Sequence, residues 1–155
     1  MAFGAPSIKG RALRLLSQRE HSRAELERKL AKHEEEPGTL ARALDELAAK
    51  DFISEPRVVA SVLNQRAARS GALRVRQELQ AKGIAPEAIA EAVASLQDTE
   101  VERATALWRR RFDAPPGDAK ERARQMRFLM ARGFSGAVVA KVLRSNFDGD
   151  NEPGE

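Results

Sequence analysis

Leu79-Gln80-Ala81-Lys82-Gly83-Ile84 and Leu129-Met130-Ala131-Arg132-Gly133-Phe134 are one phrase written twice, and Leu30-Ala31-Lys32-His33 is a third, shortened copy. The copies fall about 50 residues apart. Each closes a run of helical apolar spacing, and each is followed by a second such run. Small residue, cation, glycine, large apolar residue is an order that ends a helix at the glycine and lets the apolar residue bridge onward. Self-similarity at a fixed period marks a repeat array. Such an array lays out a long surface instead of enclosing one catalytic pocket. The phrase therefore points to a binding protein before any side-chain chemistry is weighed.

Working outward, each copy ends the middle helix of a three-helix unit. The expected organisation is a loose lead-in over residues 1–10 and units over 11–53, 54–98 and 99–146. An acidic tail over 147–155 is expected to be disordered. In the first unit Ser22-Arg23-Ala24-Glu25 reads as a capping box. Leu26 and Leu30 follow it, Glu34-Glu35-Glu36-Pro37-Gly38 breaks the chain as an exposed linker, and Thr39 caps a helix faced by Leu40, Leu44 and Leu47. The second unit opens on Ser54-Glu55-Pro56, places Val58, Val59, Val62 and Leu63 inside, and turns at Ser70-Gly71. Val75 and Leu79 carry its middle helix, and Pro86 opens one faced by Ile89, Val93 and Leu96. The third unit runs from about Val101, with Ala104, Leu107 and Trp108 inward and a break at Ala114-Pro115-Pro116-Gly117. Ala123, Met126 and Leu129 mark its middle helix, and Ser135 caps a last one holding Val138, Val139, Val142 and Leu143. Units this small are marginal alone, so neighbours must stack. The fold class is all-α, an elongated array of three tandem three-helix repeats of helix-turn-helix type.

Composition narrows the function classes. The 155 residues include no cysteine and no tyrosine, so no disulfide framework or thiolate metal site is available. No apolar run approaches the roughly 18 residues of a membrane span. Met1 to Gly10 lacks the apolar stretch of a signal peptide. The expectation is a cytoplasmic monomer with no membrane partner. His21 and His33 read as solvated surface residues, and no His, Asp or Glu set has metal spacing. There is no glycine-rich phosphate loop. No enzyme, no cofactor and no metal are expected.

Charge is uneven. Residues 1–56 carry 10 Lys/Arg and 10 Asp/Glu, residues 57–147 carry 17 against 9, and residues 148–155 hold four acids and no base. A basic middle and end suit a polyanionic or acidic partner. The candidate face is Arg66, Arg69, Arg74, Arg76 and Lys82 around the Ser70-Gly71 turn, Arg109, Arg110 and Arg111 after Trp108, and Arg122, Arg124, Arg127 and Arg132 on the next helix. Solvated faces that happen to be rich in arginine are the plain alternative. Trp108 continues the Ala104 stripe, which makes it a core residue before a base-stacking one. Aromatics are scarce and not interleaved with cations, which argues against single-strand binding by stacked bases.

In order and spacing, residues 11–145 resemble the RecX family, the small modulators of bacterial RecA recombinase. The resemblance rests on Ala12-Leu13-x-Leu15-Leu16 with Arg19, then Ser22-x-x-Glu25-Leu26-x-x-Lys29-Leu30. It is strongest in Val59-x-x-Val62-Leu63-x-x-Arg66, Gly71, and Arg74-Val75-x-x-Glu78-Leu79-x-x-Lys82-Gly83-Ile84, and it ends with Arg132-Gly133-Phe134-Ser135, Val138 and Val142. The chain departs from the family at Ser54-Glu55-Pro56, where an Asp-led start is usual, and at Glu34-Glu35 in the first unit. The resemblance implies a curved array that binds along the groove of the RecA–DNA filament and inhibits RecA's ATPase, strand exchange and co-protease activity. The alternatives are a stand-alone DNA-binding protein of helix-turn-helix type, binding single- or double-stranded DNA, and a HEAT- or armadillo-like scaffold.

Overall fold

A computed structural model describes residues 4–148. The described residues form α helices and one short 3₁₀ turn, with no strand among them. The first unit holds α1 (Ile8–Gln18), α2 (Arg23–Leu30), the 3₁₀ turn Ala31–His33 and α3 (Thr39–Ala49). Then come α4 (Glu55–Arg66), α5 (Ala72–Ala81), α6 (Pro86–Arg111), α7 (Ala119–Ala131) and α8 (Gly136–Asp148). The expected tail overlaps the end of α8, and its remaining residues, 149–155, lie outside those described.

Helix starts follow the caps. Ser22 accepts from Glu25 N while Glu25 accepts from Ser22 N, which completes the capping box. Ser54, Asp118 and Ser135 accept from the backbone N–H three residues on. The third helix differs from expectation. Gly38 at φ +92°, not Thr39, precedes it, and Thr39 is its first helical residue. The Glu34 carboxylate accepts from Leu40 N at 2.8 Å, so a residue read as exposed linker does the capping.

Apolar residues gather into three separate cores, one per unit. Ala12, Leu26, Leu30, Leu40, Leu44 and Leu47 make the first. Val58, Val62, Val75, Leu79, Ile84, Ile89, Val93 and Leu96 are prominent in the second. Ala104, Leu107, Trp108, Phe112, Leu129, Phe134, Val139, Val142 and Leu143 make the third. Three small cores strung along a chain are the anatomy of an array.

One helix crosses between units. α6 spans 26 residues, about 39 Å at the α-helical rise. Its first half belongs to the second core and its last half to the third. Gln97-Asp98-Thr99-Glu100 contains neither Gly nor Pro, so nothing ends the helix where the second unit was expected to close. The middle of α6 is tied down instead. Glu100, buried, accepts from Ala72 N at 2.9 Å at the start of α5. Arg103 donates to Ala67 O at 2.6 Å and Ser70 O at 2.8 Å, which satisfies the free carbonyls after α4.

Candidate partner-binding surface

The repeated phrase lies at the joints between units. The C-terminal end of α5 abuts the N-terminal end of α2, and that of α7 abuts the N-terminal end of α5. At the first joint Ser22 Oγ donates to Lys82 O, Arg28 donates to Ala81 O at 2.6 Å, and Lys82 Nζ lies 3.2 Å from Glu25 Oε1. At the second, Gly71 N donates to Arg132 O at 2.8 Å, Leu73 N to Gly133 O at 3.2 Å, and Arg74 to Ala131 O at 2.9 Å. The last carbonyls of a helix, which have no partner inside it, are thus satisfied by donors at the start of the next. The three middle helices thus meet end to end, the C-terminal end of one against the start of the next.

Glycine is required where the phrase places it. Gly83 (φ +70°) and Gly133 (φ +90°) close their helices in the left-handed region. A β-carbon on Gly83 would come within 2.6 Å of Ala24 Cβ, and one on Gly133 within 2.6 Å of Arg74 Cβ. The first copy of the phrase has His33 in that place and no unit beyond it. There α2 ends in the 3₁₀ turn instead.

Two of the candidate cations are occupied by the joints, and a third residue lends them its carbonyl. Lys82 pairs with the buried Glu25, Arg74 donates across the second joint, and the Arg132 carbonyl accepts there while its guanidinium lies 5.3 Å from the Phe128 ring. Arg66 is held by Glu78 at 2.8 Å. Arg111 and Arg124 stand over Phe112 at 5.4 and 5.5 Å, and Arg124 also meets Glu121 at 3.3 Å. Arg69, Arg76, Arg109, Arg110, Arg122 and Arg127 are exposed and make no ion pair with another described residue. Arg109, Arg110 and Arg111 occupy successive positions of α6 and fan over about 200° of its circumference, so the three do not share a face. The candidate cations thus divide into cations that build the array and cations free to meet a partner.

Trp108 is buried, and its Nε1–H donates to Gln125 Oε1 at 2.8 Å, so its ring is core and not a platform for a base. His21 overturns its reading as a surface residue: it is 1% exposed. Its Nδ1 faces Arg19 O at 3.0 Å and its Nε2 faces Lys29 Nζ at 3.1 Å. A carbonyl only accepts and an ammonium only donates, so a single neutral tautomer fits, protonated on Nδ1. Burial, with Arg19 and Lys29 nearby, holds its pKa below the ordinary value. Glu25 is pulled the other way. Burial pushes its carboxyl up, but hydrogen bonds from Arg19, Ser22 N and Lys82 outweigh that and hold it at about 2.

Sequence reasoning missed Arg103, Glu100 and Gln125, whose buried polar contacts have no period to betray them. No described group of His, Asp or Glu could hold a metal ion, and no described helix is long and apolar enough to cross a membrane.

Family models match in three consecutive pieces: RecX, first three-helix domain, over residues 9–47; the second over 54–93; and the third over 98–143. Among similar proteins, regulatory protein RecX of Leptothrix cholodnii is 56% identical over 146 residues, 93% of each chain. Regulatory protein RecX of Ralstonia nicotianae is 48% identical over 138 residues, 89% of this chain and 87% of that one. A crystal structure of RecX from Lactobacillus salivarius superposes with a TM-score of 0.78 at 19% identity, over 90% of this chain and 94% of that one.

Proposed function

Because the chain belongs to the RecX family, we propose that it regulates RecA by binding the RecA–DNA filament, with its units engaging successive protomers. The observation that carries this reading is the head-to-tail stacking of three similar units, which repeats one kind of surface along a line. A filament repeats its own surface along a line, and linked modules gain affinity by effective concentration. The exposed cations Arg69, Arg76, Arg109, Arg110, Arg122 and Arg127, which pair with no described residue, supply charge for acidic groups of the filament or for DNA phosphates. Bound in this way the protein lowers RecA's ATP hydrolysis, strand exchange and co-protease activity. It acts as a monomer in the cytoplasm, in recombinational DNA repair and the SOS response, with no catalytic step of its own.

The test is RecA's single-strand-DNA-dependent ATP hydrolysis, titrated with the purified protein. Loss of hydrolysis at amounts too small to coat the DNA supports filament binding. Unchanged hydrolysis together with tight, salt-sensitive binding to naked duplex overturns it in favour of the stand-alone DNA-binding reading.

A further inference from the structure

The first unit is electrically neutral as a count but not as a surface. Its acids are engaged by only some of its cations: Glu46 by Lys9, Glu25 by Arg19, Glu27 and Asp45 by Arg23. Glu20 and Asp51 are taken by Arg57 of the second unit. Seven of its ten Lys and Arg, Arg11, Arg14 and Lys32 among them, have no carboxylate partner among the described residues. These three are gathered, not scattered. With Lys29 and His33 they line a trough of about 250 Å³ between α1 and the end of α2, and no acid lines it. Past Arg11, Lys32 and His33 the trough continues into a hollow of about 410 Å³, where Glu35 and Glu36 stand on the wall. Slight burial and the charges of Arg11 and Lys32 hold the His33 imidazole below its ordinary pKa.

We propose that this trough binds phosphate groups of a nucleic-acid strand. Two guanidinium forks and two ammoniums with no acid among them match phosphodiester oxygens. The apolar side chains lining it include Leu15 and Leu30, and no Phe or Trp ring lines it. It therefore offers charge without a stacking platform, which is the chemistry of sequence-independent backbone contact. The acids at the outer hollow turn the strand towards the inner half. A bound phosphate favours the imidazolium of His33, so the site takes up a proton on binding and holds its strand more tightly as pH falls. The site is separate from the free cations of the second and third units and does not depend on any action on RecA.

The test uses the full chain, a fluorescein-labelled oligothymidylate and a salt series. Arg11→Gln with Lys32→Gln is expected to weaken binding several-fold at low salt. It should also flatten the slope of log affinity against log salt by about 1.4, near 0.7 for each phosphate no longer neutralised. Circular dichroism checks that the variant is folded. Should it melt early, NMR of the unmodified protein decides. With two histidines in the chain, His33 should move and its pKa rise when the strand is added, and it should move more than buried His21, which meets the trough only through Lys29. Equal competition by duplex DNA through the same residues also supports a phosphodiester site. The proposal is overturned if the strand binds with His33 unmoved, or if polyglutamate displaces it equally well at matched salt, which would make an acidic protein the occupant.

Discussion

Gly133 and Gly38 share nearly the same φ, +90° and +92°, but not the same neighbours. A β-carbon on Gly38 meets nothing within 4 Å, whereas one on Gly133 meets Arg74 at 2.6 Å. Alanine at 38 should cost the left-handed strain alone, about 1 kcal/mol, and alanine at 133 roughly 1–2 kcal/mol more. Urea unfolding of the two variants separates strain from collision, and equal costs would mean the second joint yields freely. Gln125→Leu removes the buried acceptor for Trp108 and should cost about 1–3 kcal/mol by the same measurement. At this scale the sequence was legible where a residue type is forced: the glycine of the phrase and the Trp108 stripe. It was silent at His21, because one polar residue buried between two helices makes no pattern. It was misleading at Thr39, where a good capping residue is outcompeted by the Glu34 carboxylate reaching the same helix start.

The two joints between middle helices look alike in outline but differ in material. The first is made by side chains, Ser22, Glu25, Arg28 and Lys82, and the second largely by backbone around Gly71 and Gly133. Only the first contains a carboxylate held far below its usual range. Glu25 titrates near 2 when folded against 4.5 ordinarily, so its contribution is complete above about pH 4.5 and vanishes as pH falls towards 2. Glu25→Gln should therefore destabilise by roughly 2 kcal/mol at neutral pH, a value reduced for the solvent around the partly exposed Arg19. That deficit should disappear near pH 2, and a deficit independent of pH would assign the loss to packing instead. His21 adds a gentler slope higher up. Its neutral form is favoured by folding, so stability is full above its ordinary value near 6.5 and declines as pH drops below it. The helices themselves were readable from apolar spacing and caps. The run-through of α6 was not, because an absent breaker is weak evidence against a boundary when a repeat argues for one.

Across the whole molecule, unit boundaries are not equivalent places to cut. A chain ending at residue 98 would lose Glu100 and Arg103, which hold the start of α5 and the end of α4. The second unit should then lose stability together with the third. A chain ending after Arg111 keeps these ties and gives up the third unit's packing together with the bonds from the start of α5 to Ala131, Arg132 and Gly133. Melting curves of the two truncations check this, and equal behaviour would deny α6 its bridging role. In a RecA assay the longer truncation is the cleaner probe of multivalency, since it keeps the Glu100 and Arg103 ties of the second unit. The array was legible in the sequence because a phrase recurs, and the free cations were only half legible, because pairing depends on which acids the fold brings near. The continuous helix α6 also sets the mechanics. The second and third units share a rod about 39 Å long and bend only as much as a helix bends. The first and second are linked by a short non-helical turn at Asp51–Ser54 and side-chain contacts. Under load the molecule behaves as a caliper with one rigid arm and one jointed one, so distortion is absorbed between the first unit and the rest.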